Sequence, residues 1–135
     1  MSTTPNWAER ATALKIDGRM LVDGKRVATQ TGETFAKHSP IDARLLGPIA
    51  RGVAADIDMA VRSARAAFED GRWAGKAPAQ RKKVLQRFAE LILGAKEELA
   101  LLETLDMGKP IQYSLAVDVP AASAGPSFHA AMIIG

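Results

Sequence analysis

The segment ALLETLDMGKPI, residues 100–111, sets a carboxylate where helix electrostatics disfavour one. The residues before Gly108 have helical composition, Gly108 is a stop, and Pro110 forbids continuation, so Asp106 falls in the last turn of a helix. The macrodipole is negative there and stabilises Lys or Arg instead, by about 0.3–1 kcal/mol. Asp106 either caps a neighbouring amide, stands solvated at the surface, or serves a purpose the local sequence does not reveal. Other side chains able to do chemistry are sparse. Arg81, Lys82, Lys83 and Arg87 could form a phosphate footprint, but with Asp70 and Glu90 nearby they read as the solvated face of an amphipathic helix. His38 and His129 are isolated, with no second ligand at i+4, and suggest surface or hydrogen-bonded imidazoles rather than a metal site. Trp73, following Gly71, is expected to plug the gap between two helices. The chain has no cysteine, which excludes disulfides, thiolate metal sites and a thiol nucleophile within it.

The elements that must position these residues follow from periodicity. Residues 20–40 carry short runs bearing Val, Thr and Phe, broken by Asp23-Gly24 and Thr31-Gly32. Asp-Gly between apolar residues favours a two-residue hairpin, because both positions tolerate the positive φ of a type I′ turn. Strands are predicted near 19–22, 25–29, 33–38 and 47–52. The period then becomes helical. Ile57, Ala60, Val61, Ala64 and Phe68 form one apolar face between Asp56 and Gly71; Val84, Leu85, Phe88, Ala89, Leu91 and Ile92 form a second between Pro78 and Gly94. Leu99, Leu102 and Leu105 mark a third helix, ending at Gly108. A fourth helical stretch opens at Gln112, but Pro120, Gly125 and Pro126 argue against one undisturbed helix through that segment. The chain closes on the apolar tail AAMIIG.

With 135 residues, 47% of them apolar and 24% charged, the chain has the composition of one ordinary globular domain. No apolar run approaches the roughly 20 residues that span a bilayer, and the first residues lack the apolar stretch of a signal peptide. A cytoplasmic protein without membrane partners is expected. The net charge of +3 is too small to imply nucleic-acid binding unless concentrated on one face, and no nucleic-acid partner is expected.

Several pieces, in order and spacing from about residue 18 to 120, resemble the amino-terminal part of NAD(P)-dependent aldehyde dehydrogenases. They are DGK in the first hairpin, GETF and SP around the next strand, PIARG, DID followed by AV, SAR and AF, PAQRKKVLQRFAELI, and EELALLETLDMGKPI. The last is close to the family's LETLDxGKP signature. ARG followed by DID, ALLETLD with GKPI, and SL with D and P look most like the gamma-glutamyl-aminobutyraldehyde and aminoaldehyde members. The implied fold is α/β: short β-strands with a hairpin, then three to four amphipathic helices, as the amino-terminal part of an incomplete Rossmann-like, cofactor-binding domain over residues 1–135 without a catalytic domain.

The resemblance implies aldehyde oxidation to a carboxylic acid with NAD or NADP by the whole family enzyme, acting on a small aldehyde. The family's nucleophilic Cys, general-base Glu and nucleotide-binding residues lie downstream, so no catalytic or cofactor-binding residue carries over. This chain alone is expected to be an inactive fragment that does not bind the cofactor tightly. The alternative is a non-catalytic module that self-associates or joins related subunits. For Asp106 the resemblance implies a place in a monovalent cation site, for potassium or sodium: its carboxylate, with the backbone oxygens of Lys37 and His38. His38-Ser39-Pro40, where an apolar residue and Asn or Asp usually precede the proline, and Met107, where Thr is usual, depart from the family pattern.

Overall fold

Asn6 opens the first helix, α1 (Trp7–Ala13), by accepting the Glu9 amide on its side-chain oxygen at 3.2 Å. The computed structural model describes residues 5–133; the last two residues of the apolar tail lie outside them. Helix α1 was not anticipated from periodicity, because seven residues are too few to establish a stripe. It is held from outside: Arg10 reaches Glu97 at 2.5 Å and stacks over Trp7.

Two antiparallel pairs follow. The strands β1 (Met20–Val22) and β2 (Lys25–Val27) join through Asp23 and Gly24, both at positive φ, which is the expected tight hairpin. The second pair is β3 (Thr34–His38) with β4 (Leu45–Ala50). β4 begins earlier than the predicted 47–52, and a bulge interrupts the register between Lys37 and His38, so that Lys37 faces Gly47 but His38 faces Leu45. Gly18 bridges this pair on a parallel path, accepting the Ala50 amide at 2.9 Å. A Cβ on Gly18 would lie 2.2 Å from the Pro48 carbonyl oxygen, so no larger residue fits that approach.

A buried carboxylate ties the strands to the helices. Asp56, 1% exposed, accepts the Gln30 amide on one oxygen and the Val53 amide on the other, both at 2.9 Å. It thereby caps α2 (Ala54–Glu69) and fastens the loop after β2 to it. α2 turns a different face inward from the one its pattern suggested. Met59, Ala60, Ser63 and Ala67 are half-buried, whereas Ile57, Val61, Ala64 and Phe68 are exposed, Phe68 by 70%. Periodicity locates an apolar stripe but does not say what covers it. Trp73 is 39% exposed in the turn after α2.

The helical layer comprises α3 (Pro78–Gly94), α4 (Lys96–Met107), α5 (Ile111–Tyr113), a π-helical turn at Ser114–Asp118, and α6 (Val119–Met132). α3 and α6 touch through small residues: Ala89, Ser123 and Ala130 are all buried, and Ser123 Oγ donates to the Ala89 carbonyl at 3.1 Å. The sequence argued against an uninterrupted helix here. The chain stays helical through both prolines, and the disturbance is confined to the π turn, where the Val119 amide reaches back five residues to Ser114. The widened turn moves the carbonyls away from the Pro120 ring at the rung where Pro120 has no N–H to give. Pro126 lies inside α6, which continues past it to Met132.

The remaining core is Ala100, Leu101, Leu105 and Val119, while Val84, Phe88, Leu91 and Phe128 stay exposed on the outer helix faces. Replacing Ala89 by Leu should force α3 from α6 and lower the opening free energy of their amides by about 1–3 kcal/mol in hydrogen exchange. Phe88→Ser, one residue away on the exposed side, should shift the same quantity by less than about 0.5 kcal/mol. Equal effects would contradict this helix contact.

Candidate functional site

The fold answers the question raised by Asp106 from outside its own helix. Leu101 and Leu105 fix α4 by burial, and Gly108, at φ +81, ends it in the left-handed conformation with its amide on the Thr104 carbonyl at 2.9 Å. A Cβ on Gly108 would stand 3.1 Å from Pro40 Cγ, so the end of α4 rests against the loop that leaves β3. That contact brings residues far apart in sequence together. Lys37 Nζ lies 2.9 Å from Asp106 Oδ1. The ammonium supplies the positive charge that a helix carbonyl end favours, and offsets the carboxylate as well.

Lys37 is 31% exposed and Asp106 65%, so the pair sits at a rim rather than in the core. Beneath it is an open cavity of about 400 Å³, lined by Ile16, Leu46, Ile49, Leu102 and Glu103 together with the pair. The methylene stem of Lys37 can lie along apolar surface while its head stays at the rim. His38 is exposed, one residue beyond the bulge. The structure therefore joins Lys37 to Asp106 by side chains, whereas the family resemblance implies a part for the Lys37 backbone oxygen only. Among the described residues, no group of three or more His, Cys, Asp or Glu could hold a metal ion. The side chains present do not fit a resident monovalent cation: of the two carboxylates lining the cavity, Glu103 and Asp106, the one the site would use already carries an ammonium.

The residues do not fit a dinucleotide by themselves either. The described strands form antiparallel pairs, not a parallel sheet with a glycine-rich turn into a helix. The strand-to-helix turn from β4 to α2 is closed to phosphate, since the Asp56 carboxylate takes the Val53 amide that an anion would need.

A second charged pair escaped the sequence reading. Lys109, just past the Gly108 stop, forms an ion pair with Asp118 at the end of the π turn, and both are about a third exposed or less. Their spacing matches no helical period, because the turn at Gly108-Lys109-Pro110 folds one back on the other. Hydrogen bonding to Asp118 raises the Lys109 pKa above its ordinary 10.5, opposed by desolvation and aided by the charges of Asp118 and Glu103. The basic cluster does not form one face: Arg81 and Lys82 are half-buried, Lys83 and Arg87 are exposed, and Arg87 pairs with Glu90 at 3.0 Å. His129 Nδ1 donates to the Gly125 carbonyl at 2.8 Å, and Phe128 stands edge-on to its ring.

Comparison with known proteins places these features. The profile described as the aldehyde dehydrogenase family matches residues 27–134. The NADP/NAD-dependent aldehyde dehydrogenase PuuC of Escherichia coli (strain K12) is 43% identical over 127 residues, 94% of this chain and 26% of that protein. An indole-3-acetaldehyde dehydrogenase of P. syringae, solved with NAD+, superposes with a TM-score of 0.93 at 50% identity, covering 95% of this chain and 26% of that one. The gamma-glutamyl-gamma-aminobutyraldehyde dehydrogenase from Burkholderia cenocepacia J2315 superposes equally well, at 0.93 and 44% identity, over 95% of this chain and 26% of that one. The chain spans about a quarter of the length of the curated relatives it matches.

Because the Lys109 pKa is raised by folding, the pair's contribution is complete below the unfolded value near 10.5 and is lost as pH rises through the folded value. Above about pH 10.5 the unfolding midpoint of the wild type should therefore fall more steeply than that of Lys109→Met. Parallel slopes in thermal melts across that range would remove the pair from the account.

Proposed function

The chain belongs to the aldehyde dehydrogenase family, and from that membership we propose that it forms the amino-terminal segment of an enzyme oxidising aldehydes to carboxylic acids with NAD or NADP. The observation that carries this reading is the family match over residues 27–134 together with a TM-score of 0.93 to structures 44–50% identical. Such agreement covers both the sequence and the overall path of the chain.

In this reading the segment is scaffold rather than catalyst. It has no cysteine to serve as a thiol nucleophile and, among the described residues, no dinucleotide cradle of its own. Its part is to present rigid helices, set by the α3–α6 contact and the π turn, against the regions that hold substrate and cofactor. The substrate is an aldehyde. An amino-bearing aldehyde is supported by the likeness to the gamma-glutamyl-gamma-aminobutyraldehyde enzyme, while the indole-3-acetaldehyde enzyme shows that an aromatic carbon skeleton accompanies equal structural similarity.

The exposed apolar side chains favour a second reading, in which the chain acts as a non-catalytic module that self-associates or docks onto subunits of the same family. Ile57, Val61 and Phe68 on α2 and Val84, Phe88 and Leu91 on α3 form stripes whose burial needs another surface.

Mixed with NAD and an aldehyde, the purified chain should produce no NADH absorbance. A hybrid in which residues 18–120 replace the matching segment of a full-length relative should fold and oxidise that relative's aldehyde. Turnover by the chain alone, or a hybrid that folds but is inactive, would overturn the scaffold reading. Co-purification with a full-length relative, abolished by Phe68→Asp, would favour the docking module.

A further inference from the structure

We infer that the Lys37 ammonium is a built-in substitute for a monovalent cation at Asp106, making this part of the protein indifferent to potassium and sodium. The inference concerns charge at the end of α4 and does not rest on the aldehyde-oxidation reading.

Three observations carry it. The first is contact: Nζ of Lys37 stands 2.9 Å from Asp106 Oδ1, within charge-assisted hydrogen-bond range. An alkyl ammonium and a potassium ion are both compact monovalent charges that seek oxygen, so one carboxylate oxygen serves either. The second is tethering. The β3–β4 bulge and the seating of Gly108 against Pro40 fix both ends of the pair, and Lys37 lines the cavity with Ile16, Leu46, Ile49 and Leu102. A free ion must therefore compete with a group whose encounter with the carboxylate is already intramolecular. The third is the charge count. Glu103 is the other carboxylate lining the cavity, and its charge also acts on Lys109, which pairs with Asp118. A potassium ion brought to Asp106 would sit within a few ångströms of the Lys37 ammonium and be repelled.

The test compares thermal midpoints in potassium chloride and in tetramethylammonium chloride, whose cation is too large to replace an ammonium at one carboxylate, at equal ionic strength. The wild-type chain should melt at the same temperature in both. Lys37→Met, which keeps the stem and removes the charge, should gain about 4 °C in potassium. The gain should vanish in Lys37→Met/Asp106→Asn. A wild type stabilised by potassium, in a manner that Asp106→Asn abolishes, would show a resident cation and overturn the inference. A Lys37→Met chain no more responsive than the wild type would reduce the pair to an ordinary surface ion pair and overturn it equally. Should Lys37→Met fail to fold, the sodium NMR line width decides with wild type, Asp106→Asn and Lys37→Gln. Excess broadening in the wild type that Asp106→Asn removes overturns the inference. Broadening seen in Lys37→Gln, a polar variant that keeps most of the stem, but absent from the wild type upholds it, while none in either overturns it. Neither readout involves oxidation, so a failure here and a failure of the proposed activity are distinguishable.

Discussion

The helical layer depends on two backbones coming close enough for Ser123 to donate to the carbonyl of Ala89. Only small side chains permit that approach, and Ala89, Ser123 and Ala130 supply them. The cost appears on the other faces. With the seam filled by small residues, the bulky side chains of α3 and α6, among them Phe88, Leu91 and Phe128, turn outward. A core built from alanine and serine buries little apolar area per residue, and at about 25 cal/mol per Å² it contributes correspondingly little. Much of the hydrophobic potential of these helices is held on surfaces that would be covered only by something else.

The π turn makes that close seam compatible with the sequence. Pro120 cannot supply an amide and would press on the carbonyl four residues back in a regular helix. Shifting one rung to five residues lets α5 and α6 run nearly as one element instead of breaking. The turn also sets Asp118 against Lys109, tying the end of the π segment to the loop that leaves α4. Ser114, fully buried at the start of the turn, has an Oγ without a hydrogen-bond partner among the described residues. Its desolvation opposes folding, so the turn is held by its surroundings and not by its own polar groups.

Charge in this chain is managed by contacts between elements. Asp56 satisfies two amides from different segments and closes the helix start that might have served an anion. Asp106, unfavourable for α4 alone, becomes neutral or better once β3 lays Lys37 against it. The solvent exposure of Asp106 limits what that pair adds to stability to about 0.2–1 kcal/mol. Its importance lies in which cation stands at the carboxylate.

The sequence alone determined the order of the four strands and of α2 to α4, because local chemistry suffices for that. Asp23-Gly24 dictates a hairpin through positive φ, Gly108 ends a helix through its left-handed conformation, and residues 78–94 show a helical period between Pro78 and Gly94. The LETLD and GKP residues carried the family in the same way, since their order survives without a structure. Tertiary structure decided the rest. A stripe of apolar residues does not say whether a surface exists to cover it, so the exposure of Ile57, Val61 and Phe68 was illegible. Seven residues are too few for a period, so α1 was missed. Pro120 forbids a regular rung but not a wider one, so the continued helix was unforeseen. Lys37 and Asp106 are separated by most of the helical sequence, and no local rule relates them; only the packing of Gly108 against Pro40 brings an ammonium to that carboxylate.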